Sequence, residues 1–177
     1  MKKLIFSELS SEKISDIAKI DEKGVVLERW NQMQSECSTQ EQQEINLIQS
    51  HLTDYRLALM NEATIWARAI YPLLVLAEKD NIQAWAQVTL NAVYPHFELG
   101  GIIDGVLGNS ASGTISTPYL VVVEAKRGLE ADNPQYQLYG EMLAAAWLNW
   151  QKQPTKTAQE IYGCYTISDT WTFMQGT

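Results

Sequence analysis

Three charged residues stand where a buried sheet tolerates charge poorly. Asp104 lies in an extended apolar stretch, Ile102-Ile103-Asp104-Gly105-Val106-Leu107. Glu124 and Lys126 end the most apolar run of the chain, Leu120-Val121-Val122-Val123-Glu124-Ala125-Lys126. Period-2 alternation puts Glu124 and Lys126 on one face of that strand and Ala125 on the other. Buried charges must be paired or ligated. A plain salt bridge, or a strand emerging into water, accounts for a lone Glu-x-Lys. The added Asp104, twenty residues upstream in a preceding strand, changes the weight of the pattern. If the two strands pair, Asp104 and Glu124 converge at one sheet edge.

Two convergent carboxylates offer hard oxygen ligands suited to Mg²⁺ or Mn²⁺, and the Ala125 carbonyl can add a third oxygen. A neighbouring lysine then has a use. It can offset charge developing on a phosphorane-like transition state, or orient and deprotonate an attacking water.

Asp104, a loop, then Val-Val-Val-Glu124-Ala-Lys126 resembles the PD-(D/E)XK nuclease superfamily, the restriction-endonuclease-like fold. The resemblance covers roughly residues 55 to 175. It implies a helix, three antiparallel strands, a helix and a further strand. It also implies Asp104 and Glu124 as metal ligands, Lys126 as the catalytic lysine and a DNA phosphodiester as substrate. Ile103 replaces the proline that often precedes the aspartate, a position that varies widely in the superfamily. Gln135 and Tyr139 are i and i+4 on the following helix and share a face. They look like the Q-x-x-x-Y element of RecB-like and type I restriction nuclease domains, which implies substrate contact or support of the site. Gln137 is expected to point elsewhere. Glu62, at a helix start in Asn61-Glu62-Ala63-Thr64-Ile65-Trp66, matches the glutamate that completes the metal site in several branches of the superfamily. An acid in a helix first turn is also favourable for dipole reasons alone. Glu98 is the runner-up for that place. Arg127, beside Lys126, is a candidate phosphate contact.

Both halves of the chain must cooperate to position these groups. The first eighty residues read as helix. Glu12 to Ile20 is amphipathic, with Ser10 or Ser11 as cap. Ser38-Thr39-Gln40-Glu41 looks like a fresh helix start, and Ile45, Ile48, Leu52, Tyr55 and Leu59 repeat at helical spacing. Asn61 to Ala77 is a further helix that Pro72 should kink or break. The second half changes period. Gln83 to Leu90 alternates, Phe97 to Leu107 is extended and glycine-rich, and Asn109 to Ser116 is small and polar, hence a loop. Pro118 to Val123 suits a strand buried on both faces. Pro134 to Trp150 is a helix, and Ile161 to Thr166 with Trp171 to Gln175 a hairpin. The expected architecture is α/β: a restriction-endonuclease-like mixed sheet flanked by helices. Residues 1–54 form an N-terminal helical accessory region and 55–177 the core.

The 177 residues carry 13 Lys+Arg against 21 Asp+Glu, a formal charge of −8, which excludes a simple basic nucleic-acid coat protein. From Asp80 to Gln151 seven acids face only Lys126 and Arg127, so a duplex footprint of many cations is missing. DNA binding is expected to be weak, or assisted by a protein partner or a homodimer. No apolar run approaches the ~20 residues of a membrane span. The start Met1-Lys2-Lys3-Leu4-Ile5-Phe6 has too short an apolar part for a secretory signal. Cys37 and Cys164 lie far apart and read as free thiols, which fits a reducing cytoplasm. Together these readings lead to a Mg²⁺- or Mn²⁺-dependent deoxyribonuclease. The alternative is an inactive module of the same fold that binds nucleic acid or a protein.

Overall fold

The computed structural model describes residues 1–20, 36–53, 60–126, 134–154, 158–167 and 170–177. The architecture is mixed α/β, a six-stranded sheet flanked by helices. Three strands form an antiparallel meander: β2 (Ile82–Val93), β3 (Phe97–Ala111) and β4 (Thr114–Lys126). Helix α5 (Pro134–Lys152) then carries the chain to β5 (Ile161–Ile167), which runs parallel to β4, and β6 (Thr170–Gly176) closes a hairpin with β5. A parallel pair needs such a crossover, and Pro134 at the helix start costs no hydrogen bond there.

Several elements differ from their sequence reading. The polar stretch 109–116 is not a loop. β3 runs to Ala111 and β4 starts at Thr114, joined through Ser112 and Gly113 at φ 55° and 76°. Two left-handed residues in succession match the right-handed strand twist, so the polar residues flank a tight hairpin turn. Residues 2–14, expected in a helical accessory region, enter the sheet and its core. β1 (Lys2–Ile5) pairs parallel with β3, and Leu4, Phe6, Leu9 and Ile14 are buried with the main core. The helix expected over Glu12 to Ile20 is the short α1 (Ser11–Ser15), capped by Ser10.

Helix α2 (Thr39–Thr53) starts on a reciprocal capping box. Ser38 N donates to Glu41 Oε2 at 2.6 Å, and Glu41 N donates to Ser38 Oγ at 3.2 Å. Of its apolar stripe, Tyr55 and Leu59 lie outside the described residues. The expected helix from Asn61 is broken as Pro72 requires. It consists of α3 (Glu62–Ile65), a wider π turn over Trp66–Ile70, and α4 (Tyr71–Leu76). Pro72 cannot donate to the Arg68 carbonyl; His51 Nδ1 takes that oxygen at 3.1 Å. His51 is therefore a structural partner here.

The sheet buries both faces. On one, Val106 and Val122 pack with Leu138, Met142, Ala144 and Ala145 of α5. On the other, Val123, Ala125 and Cys164 pack with Ile65, Ile70 and Leu74. No helix among the described residues is long and apolar enough to cross a membrane.

Candidate active site

The antiparallel register pairs Gly105 with Val123, so Asp104 and Glu124 follow as the next cross-strand neighbours. Asp104 Oδ2 accepts from the Ala125 N–H at 2.9 Å, which ties the carboxylate to β4. Glu124 shares the face of Val122 and points under α5, only 1 % exposed. Lys126 lies two residues on, and its Nζ meets Glu124 Oε1 at 2.6 Å. The structure thus brings Asp104, Glu124, Ala125 and Lys126 to one end of the central strands.

Glu62 reaches the same end from the other face. Asn61 caps its helix by accepting from Thr64 N at 2.8 Å. One turn later the Trp66 ring lies 2.5 Å from where a Gly105 Cβ would sit, so a side chain there would clash with it. Glycine beside Asp104 lets α3 approach β3 closely. Glu62 is exposed, and its charge is felt at Lys126. Glu98 is not brought here. It pairs with Lys3 at 3.4 Å, six residues or about 20 Å along β3.

Gln135 and Tyr139 share a helix face as their spacing requires. Gln135 Nε2 donates to the Tyr139 hydroxyl at 2.7 Å. Gln137 leaves the helix on a different face from Gln135 and Tyr139, as its spacing requires. Its Nε2 donates to Glu141 Oε1 at 3.1 Å, and Glu141 is fully buried against Glu124. Arg127 lies outside the described residues. His96 is exposed in the β2–β3 turn, and Trp147 packs by stacking on Tyr94 and Trp150.

Two residues of the site carry no motif. Glu141 has a readable signal in hindsight: it interrupts the apolar stripe Leu138, Met142 and Ala145 on α5. An acid on the buried face of a helix needs a reason. Gln87 has no such signal, because alternation places it on an exposed strand position. Its Nε2 donates to Asp104 Oδ1 at 3.0 Å.

The electrostatics follow from burial. Loss of water pushes Glu124 up to about 7, helped by the Asp104 charge and opposed by Lys126. Glu141 is raised well above the usual carboxylate range, first by burial and then by the Glu124 charge. Among the described residues neither Glu124 Oε2 nor Glu141 Oε2 finds a hydrogen-bond donor. A proton held between the two carboxyls serves both. Burial alone would lower Lys126, but the hydrogen bond and charge of Glu124, then Glu62 and Asp104, outweigh it and raise it. Lys126 is therefore a cation at neutral pH.

The donor set fits a hard cation. Asp104 keeps lone pairs beyond its two hydrogen bonds, and Glu124 Oε2 is a buried oxygen that a cation could take in place of the shared proton. No group of three or more His, Cys, Asp or Glu among the described residues is gathered closely enough to hold a metal alone. Mg²⁺ commonly binds through one or two carboxylates, with water and substrate phosphate completing its shell. No protein-family model matches the chain, and the comparison with curated proteins returns no match.

Proposed function

We propose that the protein is a Mg²⁺- or Mn²⁺-dependent nuclease that hydrolyses DNA phosphodiester bonds at this end of the sheet. One observation carries the reading: Asp104 and Glu124 are cross-strand neighbours, with Lys126 held against Glu124 at 2.6 Å. Asp104, Glu124 and the Ala125 carbonyl would hold the cation, with Glu62 available from α3. The cation would supply Lewis-acid polarisation of the phosphate and a more acidic bound water. Lys126, kept positive by its carboxylate neighbours, orients the attacking water and offsets charge growing on the phosphoryl oxygens. The water oxygen forms the new bond to phosphorus and releases its proton to bulk water, the ester P–O bond breaks, and the leaving oxygen takes a proton from solvent. Gln135 and Tyr139, hydrogen-bonded to each other on the first turns of α5, would steady substrate, and Arg127 is a candidate phosphate contact. The excess of acids around the site supports weak DNA affinity alone, supplied with positive surface by a protein partner or a second copy. A reducing cytoplasm is the expected setting for the free thiols of exposed Cys37 and buried Cys164.

A second reading is an inactive module of this fold that binds nucleic acid or protein. The absence of a three-acid metal group among the described residues favours it. Cleavage of supercoiled plasmid and single-stranded DNA with Mn²⁺, Mg²⁺ or chelator separates the two. The nuclease reading requires metal-dependent cutting that falls about 10³-fold in both Asp104→Asn and Lys126→Ala. Cutting that survives both variants, or none by the wild type, rejects it as a free-standing enzyme.

A further inference from the structure

Gln87 is the point where two independent irregularities coincide. Its φ is +55° inside a twelve-residue strand, a left-handed conformation that a side chain disfavours. The register around it does not slip, since Ala86 pairs with Gly105 and Val88 with Ile103. No extra residue forces the twist.

Both strands change face at this place. In β2, Ala84 packs against the cluster of Ile65 and Leu74, whereas Val88, Leu90 and Ala92 pack under α5. In β3, Leu99 and Ile103 pack under α5, whereas Leu107 packs with Ile65 and Leu74, and the absent Cβ of Gly105 faces Trp66 and Leu74. Strict alternation would keep each set on one face. The switch falls between Ala84 and Val88 on one strand and between Ile103 and Gly105 on the other. Gln87 and Asp104 are the residues at the seam. There the Gln87 amide takes Asp104 Oδ1 while the Ala125 N–H takes Oδ2. The carboxylate is clamped on both oxygens by neighbours on both sides of β3.

We propose that Gln87 is a positioning residue for Asp104, and that its left-handed backbone is retained because it delivers the side-chain amide to that carboxylate. The proposal rests on the cation-site reading above and deepens it. Non-glycine residues held at positive φ concentrate at functional sites, where surrounding structure enforces them. Glycine would meet that φ without strain, so what glutamine adds at position 87 is its side-chain amide.

Gln87→Gly and Gln87→Ala separate backbone from side chain. Both lose the amide, but only Gly relieves the left-handed φ. Mn²⁺ titration calorimetry on both, with Asp104→Asn as control, reads the site without any cleavage. A partner that orients a ligand typically affects metal affinity ~10–100-fold. The expected result is Mn²⁺ binding weakened about 10-fold, equally in Gly and Ala, with Gly the more heat-stable. Cleavage should lose kcat more than it gains KM. Affinity equal to wild type in both variants overturns the proposal. So does a loss in Ala that Gly restores, since backbone strain would then be the whole effect. A thermal-unfolding cycle of Gln87→Gly with Asp104→Asn tests the pairing without metal. Non-additive midpoint shifts support it, and additive ones overturn it. A wild type that binds no Mn²⁺ rejects the cation reading and the positioning of Asp104 for a cation with it, whatever the unfolding cycle shows of the pairing.

Discussion

The two ends of helix α5 bury polar groups against the same strand and treat them in opposite ways. Near its C-terminal end Asn149 is 7 % exposed and fully used. Its Nδ2 donates to the Tyr119 carbonyl at 2.7 Å, and its Oδ1 accepts from the Tyr119 N–H at 2.8 Å. The pairing of β4 with β5 starts only at Val121, so Asn149 stands in for a strand partner that has not yet begun. Eight residues earlier, about 12 Å along the axis, Glu141 is 0 % exposed with an oxygen that no donor reaches among the described residues. It abuts Glu124, whose Oε2 is in the same position. A buried polar group that is fully paired holds a fold together. One left short of a partner costs stability and persists for another reason. The contrast sets the structural end of α5 at Asn149 apart from the acidic end, where the proposed chemistry lies.

Exchanging the roles is the strongest way to break that division. Asn149→Ala removes both partners of the Tyr119 peptide and should cost about 4 kcal/mol of unfolding free energy, read by urea denaturation. The remaining folded protein should bind Mn²⁺ as the wild type does. Loss of Mn²⁺ binding in folded Asn149→Ala would mean that the two ends are not separable.

The acidic end makes its own prediction through pH. Glu124 is raised in the folded protein from 4.5 to about 7, and Glu141 moves the same way. Between those values the native state holds a proton that the unfolded chain has released. Stability of the cation-free protein is therefore greatest below about pH 4.5 as far as this pair is concerned. It falls as pH rises towards 7, on the order of 3 kcal/mol at Glu124. Thermal unfolding in chelator across this range reads the slope. Glu124→Gln should flatten it, whereas Asn149→Ala should shift the curve downward with its slope kept. A cation-free protein whose stability rises from pH 5 to pH 7 would contradict a protonated buried pair.

The sequence made some of this visible and hid the rest for physical reasons. The apolar run Leu120 to Val123 announced β4 as a strand, but burial on both faces holds only from Val122 to Ala125, and Leu120 is exposed. Asp104, Glu124 and Lys126 stood out as charges breaking such runs. Pro134 marked the start of α5, and the capping box at Ser38 and Glu41 marked α2. The turn at Ser112-Gly113 cannot be told from a longer loop in the sequence, because small polar residues serve a tight hairpin and a long loop equally well. β1 escaped because its partner Phe97–Gly100 is 95 residues away, and four residues carry no period of their own. The spacing puts Gln137 on another face than Gln135, where it is found, but it does not say that Glu141 waits there. The Gln87–Asp104 bond depends on a left-handed φ and a face switch in two strands, and neither leaves a mark in residue type. The proposed nuclease reading draws on Asp104, Glu124 and Lys126 and is silent on Gln87 and Glu141, which the fold alone brings to them.

The smallest effect tests the pairing at the acidic end most directly. Glu141→Gln keeps the length of the side chain and an oxygen for Gln137. It replaces the shared proton with a permanent N–H donor toward Glu124 Oε2. Above pH 7, where that proton is being lost from the wild type, the variant should gain about 1 kcal/mol in chelator. At pH 5, where the proton already serves both carboxyls, the gain should vanish. A gain of equal size at both pH values would show that Glu141 merely fills space, and the acidic end of α5 would then differ from the Asn149 end in shape alone. A gain confined to high pH keeps the difference chemical. It would also show why the helix carries an acid, since glutamine at 141 gives the more stable protein and lacks the second carboxylate beside Glu124.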